Sequence, residues 1–323
     1  MRLGLKFGKE LLTKENLTYA QQMGVTDIVL HGPRMGEQGV LDFVELVRTK
    51  KLIESFGLKF LAIENLPGDH WSEIVSGAEG RDEQIANTCT TIENMGKVGI
   101  PILGYYFTVS GVAGHWRSYE SGGGRGDAGL KSFDYDLVKD APHNEHAPVS
   151  VEEMWERLGY MLERIVPVAE RVGVKLAAHQ DDPPVETLFG TGRLLTSHDA
   201  MQRLIDLVPS PSNGLEFCQG TVAEMGPDKA TEAITRFASQ DKIFYVHFRN
   251  VKGSVPKFDE VFIDEGDVNM IAALKAYRDA GYDGVITPDH TPRVIGDTAY
   301  GHRGRAFALG YIRAAMQALD LLD

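Results

Sequence analysis

The chain has 323 residues, 43% hydrophobic content and 14 prolines, enough for one large buried core and within the size range of a single α/β barrel. Its 46 acidic residues against 33 lysines and arginines leave a net charge of −13, which repels phosphate backbones and anionic membranes and disfavours nucleic acid or a membrane as partner. The opening MRLGLKFGKE lacks the long apolar core of a signal peptide, and no apolar run nears the ~18 residues of a membrane span, so a cytoplasmic protein acting on a small molecule is expected.

Eight short apolar runs read as strands, at 2–7, 27–31, 59–64, 101–107, 174–179, 214–218, 243–248 and 284–289. Between them lie helical patterns such as LDFVELVRTKKLIESFG and MWERLGYMLERIVPVAERVG, with apolar positions three and four apart and a glycine just past the end. A glycine followed by an apolar residue leads from helix to strand at Gly24-Val25, Gly57-Leu58, Gly99-Ile100 and Gly173-Val174. Continuous apolar strands alternating with helices imply a parallel sheet covered on both faces, and eight units imply one closed (β/α)8 TIM barrel over 1–323, with an open doubly wound sheet as the alternative.

Two segments break this rhythm. Residues 108–150 form a connection far longer than a barrel needs, rich in glycine but carrying Trp116, Tyr119, Phe133 and Tyr135, and a folded lid inserted after the fourth strand is expected there. The polar stretch 287–311, between the last strand and the last helix, lies where barrels place their active sites.

The run KLAAHQDDPP ends a buried strand on a cluster of ligand-type residues. In a barrel all strand carboxyl ends converge on one face, and the last four deliver His179, Cys218, His247 and Asp289. Each alone has an ordinary reading: a hydrogen-bonded histidine, a small buried thiol, a turn-capping aspartate. Four such residues at four consecutive strand ends point instead to a divalent metal, and the mixed nitrogen, sulfur and oxygen donors suit Mn2+, Fe2+, Co2+ or Zn2+ rather than Mg2+ or Ca2+. His31 and Glu64 end the second and third strands and are candidate substrate contacts. Cys89 reads as a core residue of a helix, and His70, His143, His146, His198 and His302 as mostly solvated.

VPVAERVGVKLAAHQDDPP, NGLEFCQGT, IFYVHFRN, DEGDVNM and TPDHTPRVIGDTAYGHRGRAFALGYIRA together resemble the metal-dependent mannonate dehydratases of hexuronate catabolism, within the xylose-isomerase-like barrel superfamily. Weaker similarity continues upstream through LHGP, FLAIENLPGDH and HWRS. The resemblance implies Mn2+ held by His179, Cys218, His247 and Asp289, proton transfer by His290 and Tyr300, and conversion of D-mannonate or a closely related aldonate to a 2-keto-3-deoxy acid. Thr287 stands where the family usually has arginine, and Gln180 where it has proline. Arg293, Arg303 and Arg305 are candidate partners for the substrate carboxylate, Trp116 and Arg117 are expected to close over the sugar, and a homodimer is the expected assembly. A metal-dependent sugar isomerase or epimerase on the same barrel, or a non-catalytic aldonate sensor, are the alternatives, and a cysteine ligand speaks against the isomerase.

Overall fold

Eight parallel strands close into a barrel in the order of the sequence: β1 (Arg2–Gly8), β2 (Asp27–His31), β3 (Lys59–Glu64), β4 (Ile102–Tyr105), β5 (Lys175–His179), β6 (Asn213–Cys218), β7 (Ile243–His247) and β8 (Val285–Thr287), with β8 pairing back onto β1. The computed structural model describes residues 1–36, 39–118 and 123–322, apart from the side chains of 117 and 118. The (β/α)8 expectation holds, strand for strand. The fourth and eighth strands are shorter than the apolar runs, because their flanking residues leave the ladder to enter the loops around the mouth.

Helices α1 (Lys14–Gln22), α2 (Phe43–Glu54), α3 (Arg81–Val98), α4 (Val151–Val172), α5 (His198–Leu207), α6 (Pro227–Ala238), α7 (Met270–Asp279) and α8 (His302–Ala318) connect the strands. α4 shows how the sequence sets its limits. Ser150 and Glu153 form a reciprocal capping box at its start, and Gly173 ends it with φ 72°, a conformation in which a side chain is strained. Between them Leu158, Leu162, Ile165, Val166 and Ala169 recur at helical spacing and are buried against the barrel. Truncating one of the leucines to alanine would cost about 2–5 kcal/mol. Cys89 of α3 is half-buried and packs against this core, 3.9 Å from the Arg164 carbonyl.

Strand alternation decides what lies inside the barrel. Leu3, Leu5 and Phe7 of β1 join the large core between strands and helices, whereas Val29, Ala62, Ile102, Ala177, Tyr245 and Val285 form a separate cluster within the barrel. Two residues further towards the carboxyl ends, the same inward register carries His31, Glu64, Gly104, His179 and His247, with Glu216 level with His179 and Cys218 level with His247, while Lys6, level with Val29, reaches up to this layer. The apolar interior thus gives way to a charged layer at the mouth. Gly104 is required there, because a Cβ would stand 2.5 Å from Glu216 Oε2 and 2.6 Å from the Tyr245 hydroxyl.

The long connection after β4 is not a simple loop. Its strands His115–Ser118 and Leu130–Asp134 join an antiparallel hairpin, Val251–Ser254 and Lys257–Glu260, that follows β7, giving a four-stranded cap sheet. Phe133 and Phe258 pack at 5.4 Å in its small core, with the His115 ring against both. Trp116 is 37% exposed, and Tyr119 lies outside the described residues. Among the described residues no helix is long and apolar enough to cross a membrane.

Candidate active site

Three of the four expected ligands meet: His179, Cys218 and His247 each offer a ligand atom within 4.8 Å of the others. The ends of β5, β6 and β7 are neighbours in the barrel, so the residues closing them fall together. Local bonds aim each one. Nδ1 of His179 lies 2.6 Å from the Gln180 carbonyl, which assigns the proton to Nδ1 and leaves Nε2 as a donor lone pair. Gln180 is itself buried and accepts the Cys218 N–H at 2.8 Å through its side chain, tying β5 to β6 at a position where proline has no side-chain acceptor. The Cys218 sulfur accepts the Thr221 N–H at 3.5 Å.

His247 is held from behind. Its Nε2 stands 3.0 Å from Glu64 Oε2 and 3.2 Å from Glu216 Oε1, while Nδ1 is buried without a hydrogen-bond partner and lies 3.8 Å from Asp289 Oδ2. A buried ring nitrogen left without a partner beside a thiol, a second imidazole and a carboxylate is the donor set a first-row divalent ion requires, with the carboxylates as its orienting support. The residues fit a metal. Asp289 stands beside the group of three, its oxygens bound to Lys6 Nζ at 3.0 Å and Arg249 Nε at 3.2 Å.

The two carboxylates behind His247 carry different charges. Burial alone would raise Glu64, but Lys6 and His247 outweigh it and hold Glu64 well below the usual carboxylate range. Burial, reinforced by the charge on Glu64, keeps Glu216 well above that range and protonated. Lys6 and His247 are both raised against the opposing effect of burial, Lys6 by Asp289 and Glu64, His247 by the same two carboxylates. Glu64 is 2% exposed, and His31, Lys6, Tyr245 and His247 surround its oxygens. Its oxygens are thus taken up by these neighbours, His247 among them. His31, 48% exposed, does face the mouth.

A second cluster joins barrel and cap. Arg249, 3% exposed, reaches Glu224 at 2.7 Å, Asp182 at 2.9 Å, Asp289 at 3.2 Å and Glu260 at 3.7 Å. Burial, then the charge on Asp182, holds Glu224 well above its ordinary range. His115, Asp182 and Glu260 also bring ligand-type atoms within 4.8 Å, but Arg249 and Lys131 already place two cations against these carboxylates, so the group reads as an ion-pair network. From this network Glu260 reaches His290, with Oε2 2.8 Å from Nδ1.

The other expected residues are dispersed. Tyr300 donates its hydroxyl to the Lys6 carbonyl, packs on Phe7 at 5.3 Å and lies under the Arg305 guanidinium; burial raises its phenol. Arg305 donates to the Asp289 carbonyl at 2.9 Å, bracing the loop. Arg303 donates to the Ile295 carbonyl and Arg293 to that of Ala299, while the Arg293 backbone pairs with Gly129 of the cap. The Arg117 side chain lies outside what is described. Thr287 is fully buried and donates to the Val246 carbonyl, so it presents no polar group to the mouth. His302 is not solvated: it bonds Asn16 and packs on Tyr19 and Tyr300.

Lys6, Glu216, Arg249, Glu260 and Lys131 were not among the expected site residues. Lys6 and Glu216 carry a signal, being charged side chains in the inward register of largely apolar strands.

The comparisons agree with this geometry. The model of the family described as "D-mannonate dehydratase (UxuA)" matches residues 1–140 and 135–322. Mannonate dehydratase 2 of Halalkalibacterium halodurans is 30% identical, covering 99% of this chain and all of the relative, and mannonate dehydratase of Streptococcus equi subsp. zooepidemicus is 32% identical over 84% and 82% of the two chains. The crystal structure of mannonate dehydratase from Streptococcus suis serotype 2 superposes with a TM-score of 0.85 at 27% identity, covering all of this chain and 95% of the other. The closed eight-stranded barrel and these matches over nearly the whole chain place the protein in the D-mannonate dehydratase family.

Proposed function

We propose that the protein dehydrates D-mannonate, or an aldonate closely related to it, to a 2-keto-3-deoxy acid and water, with His179, Cys218, His247 and Asp289 as metal ligands and His290 and Tyr300 as the proton-transfer pair. The observation that carries this reading is the unpartnered Nδ1 of His247, buried among the other ligand-type residues at the barrel mouth. A divalent ion bound by these four residues, manganese being the best match to the resemblance and the donor set, supplies Lewis acidity towards the negative charge that develops when the C2 proton leaves.

The chain's own groups account for the rest. The C2 proton of an aldonate is weakly acidic, and the C3 hydroxyl is a poor leaving group. A base at C2 takes the proton, the electron pair forms the C2–C3 double bond, and the C3–O bond breaks as an acid protonates the departing hydroxyl. The enol then takes a proton at C3 and becomes the 2-keto acid, so one water is lost overall. His290 stands at the mouth with its Nε2 free of hydrogen bonds among the described residues, and Tyr300 is on the same loop. Lys131 and Lys6, mostly buried and paired with Glu260 and with Glu64 and Asp289, add positive charge near the mouth that favours an anionic substrate.

The test is a panel of hexonates and pentonates incubated with metal-loaded protein, followed by detection of 2-keto-3-deoxy acids. D-mannonate or a stereochemical neighbour should give product. No product across the panel, with metal confirmed bound, overturns the reading.

A further inference from the structure

The connection after β7 brings a carboxylate back over the mouth. The hairpin Val251–Ser254 and Lys257–Glu260 ends on Glu260, a residue 3% exposed that is anchored to its neighbouring strand by the Lys131–Glu260 register. Both of its oxygens face one atom: Oε2 lies 2.8 Å and Oε1 3.0 Å from Nδ1 of His290. The Lys131 ammonium, from the adjacent cap strand, stands 3.2 Å from Glu260 and 3.3 Å from the same Nδ1.

Two arrangements of the His290 proton compete. With the proton on Nε2, Lys131 would donate to the Nδ1 lone pair, but the ionised carboxylate would then set the lone pairs of Oε1 against that nitrogen from 3.0 Å, which is repulsive. With the proton on Nδ1, it is donated to Glu260 Oε1 at 3.0 Å, and the Lys131 ammonium forms an ion pair with the same oxygen at 3.2 Å. The shorter distances belong to the second arrangement. Glu260 is ionised: burial opposes the charge, but His290, Lys131 and Arg249 together hold it well below the ordinary range. Among the described residues Nε2 has no hydrogen-bond partner, and the His290 side chain is 30% exposed, so the free lone pair is on the open side.

We propose that Glu260, delivered by the cap sheet, is the positioning residue that fixes His290 as the Nδ1–H tautomer, so that neutral Nε2 is the base that takes the C2 proton. This rests on His290 being a proton-transfer residue, and it settles the division of labour: the hydroxyl leaving C3 takes its proton from the other member of the pair. The logic is that of a carboxylate orienting a catalytic imidazole, in which loss of the carboxylate leaves the ring in place but in the wrong tautomer. The recorded side-chain partners of Glu260 are His290, Lys131 and Arg249, none of them an expected metal ligand. Glu260 acts through His290.

The experiment has two arms. In protein loaded with a diamagnetic ion such as Zn2+, nitrogen-15 spectra of labelled histidines report which ring nitrogen of His290 carries the proton, the signal being assigned by its loss in His290→Gln. Wild type should show the Nδ1–H tautomer, and Glu260→Gln should lose it. In kinetics on the best substrate, Glu260→Gln should keep its metal and a KM within a few-fold of wild type while kcat falls by about 10²- to 10⁴-fold, and Glu260→Asp should recover part of that loss. An Nε2–H tautomer in the wild type, or wild-type kcat in Glu260→Gln, overturns the proposal. The tautomer is measured on wild-type protein, so a variant that fails to fold does not remove the test. An enzyme inactive on every aldonate but showing the Nδ1–H tautomer would sink the dehydratase reading and leave the Glu260 contact standing.

Discussion

The Lys6 ammonium lies 3.0 Å from the Asp289 carboxylate and 2.8 Å from Glu64, so a single side chain on the first strand joins the third strand to the loop leaving the last. Lys6 is the cation nearest the carboxylate expected to bind metal. Removing one partner of a buried ion pair typically costs about 3–5 kcal/mol, because the remaining charge is left uncompensated. Lys6→Met should therefore destabilise metal-free protein by an amount of that order. With metal bound, Asp289 has a second cation and only Glu64 is left exposed to the loss, so the destabilisation should be smaller. Denaturant titrations with and without chelator measure both values, and equal losses in the two states would show that Asp289 does not contact the ion.

The ligand set is tested by removal. Cys218→Ser and His247→Ala should each strip the ion from purified protein, since one replaces a thiolate by a hydroxyl and the other deletes the unpartnered ring nitrogen. Both sites are buried, so circular dichroism must show an intact barrel. Full metal occupancy by elemental analysis in both variants would overturn the assignment.

Glu64 and Glu216 both face Nε2 of His247, yet their substitutions should differ. Glu64 is held ionised and supports the imidazole as a charge, so Glu64→Gln should weaken metal binding by about 10- to 100-fold, the usual cost of losing an orienting carboxylate behind a ligating histidine. Glu216 is held protonated, and an amide is close to isosteric with a neutral carboxylic acid. Glu216→Gln should leave metal affinity within a few-fold of wild type. Competition with a chelating dye gives both constants. Similar losses in the two variants would mean that the charge is shared rather than placed on Glu64.

Much of this site is legible in the sequence because parallel strands covered on both faces are continuous apolar runs, so their carboxyl ends can be located to within a residue or two. His179, Cys218 and His247 follow from that alone. Lys6 and Glu216 were readable only by parity: each stands an even number of residues from an inward position, inside a largely apolar strand. The cap hairpin was hidden because its strands are four residues each, hold lysines, glycine and acids, and complete their sheet with partners more than 100 residues earlier. Glu260 and the Arg249 network were hidden with it. Their partners come from the ends of β5 and β8, the short helix Gln219–Glu224 and the cap, and no local pattern records that meeting. Glu64 shows the converse, since a strand end located in the sequence does not tell whether its carboxylate is buried among partners, as this one is, or open to the mouth.

Tyr300 separates chemistry from metal binding. Its phenol donates to the Lys6 carbonyl, its ring packs between Phe7 and the Arg305 guanidinium, and burial raises its pKa, so the group is protonated at neutral pH and able to act as an acid. None of its recorded contacts is to His179, Cys218 or His247, and Tyr300→Phe should retain full metal occupancy. Losing the hydroxyl leaves the Lys6 carbonyl without that donor, a cost of about 1–3 kcal/mol that thermal unfolding would register. The effect on turnover should be far larger. Removing a positioned proton-transfer group costs about 10²- to 10⁴-fold in rate, so kcat should fall by that factor with KM little changed. A loss confined to stability, with wild-type kcat on the best substrate, would reduce Tyr300 to a brace for β1 and require another donor for the hydroxyl leaving C3.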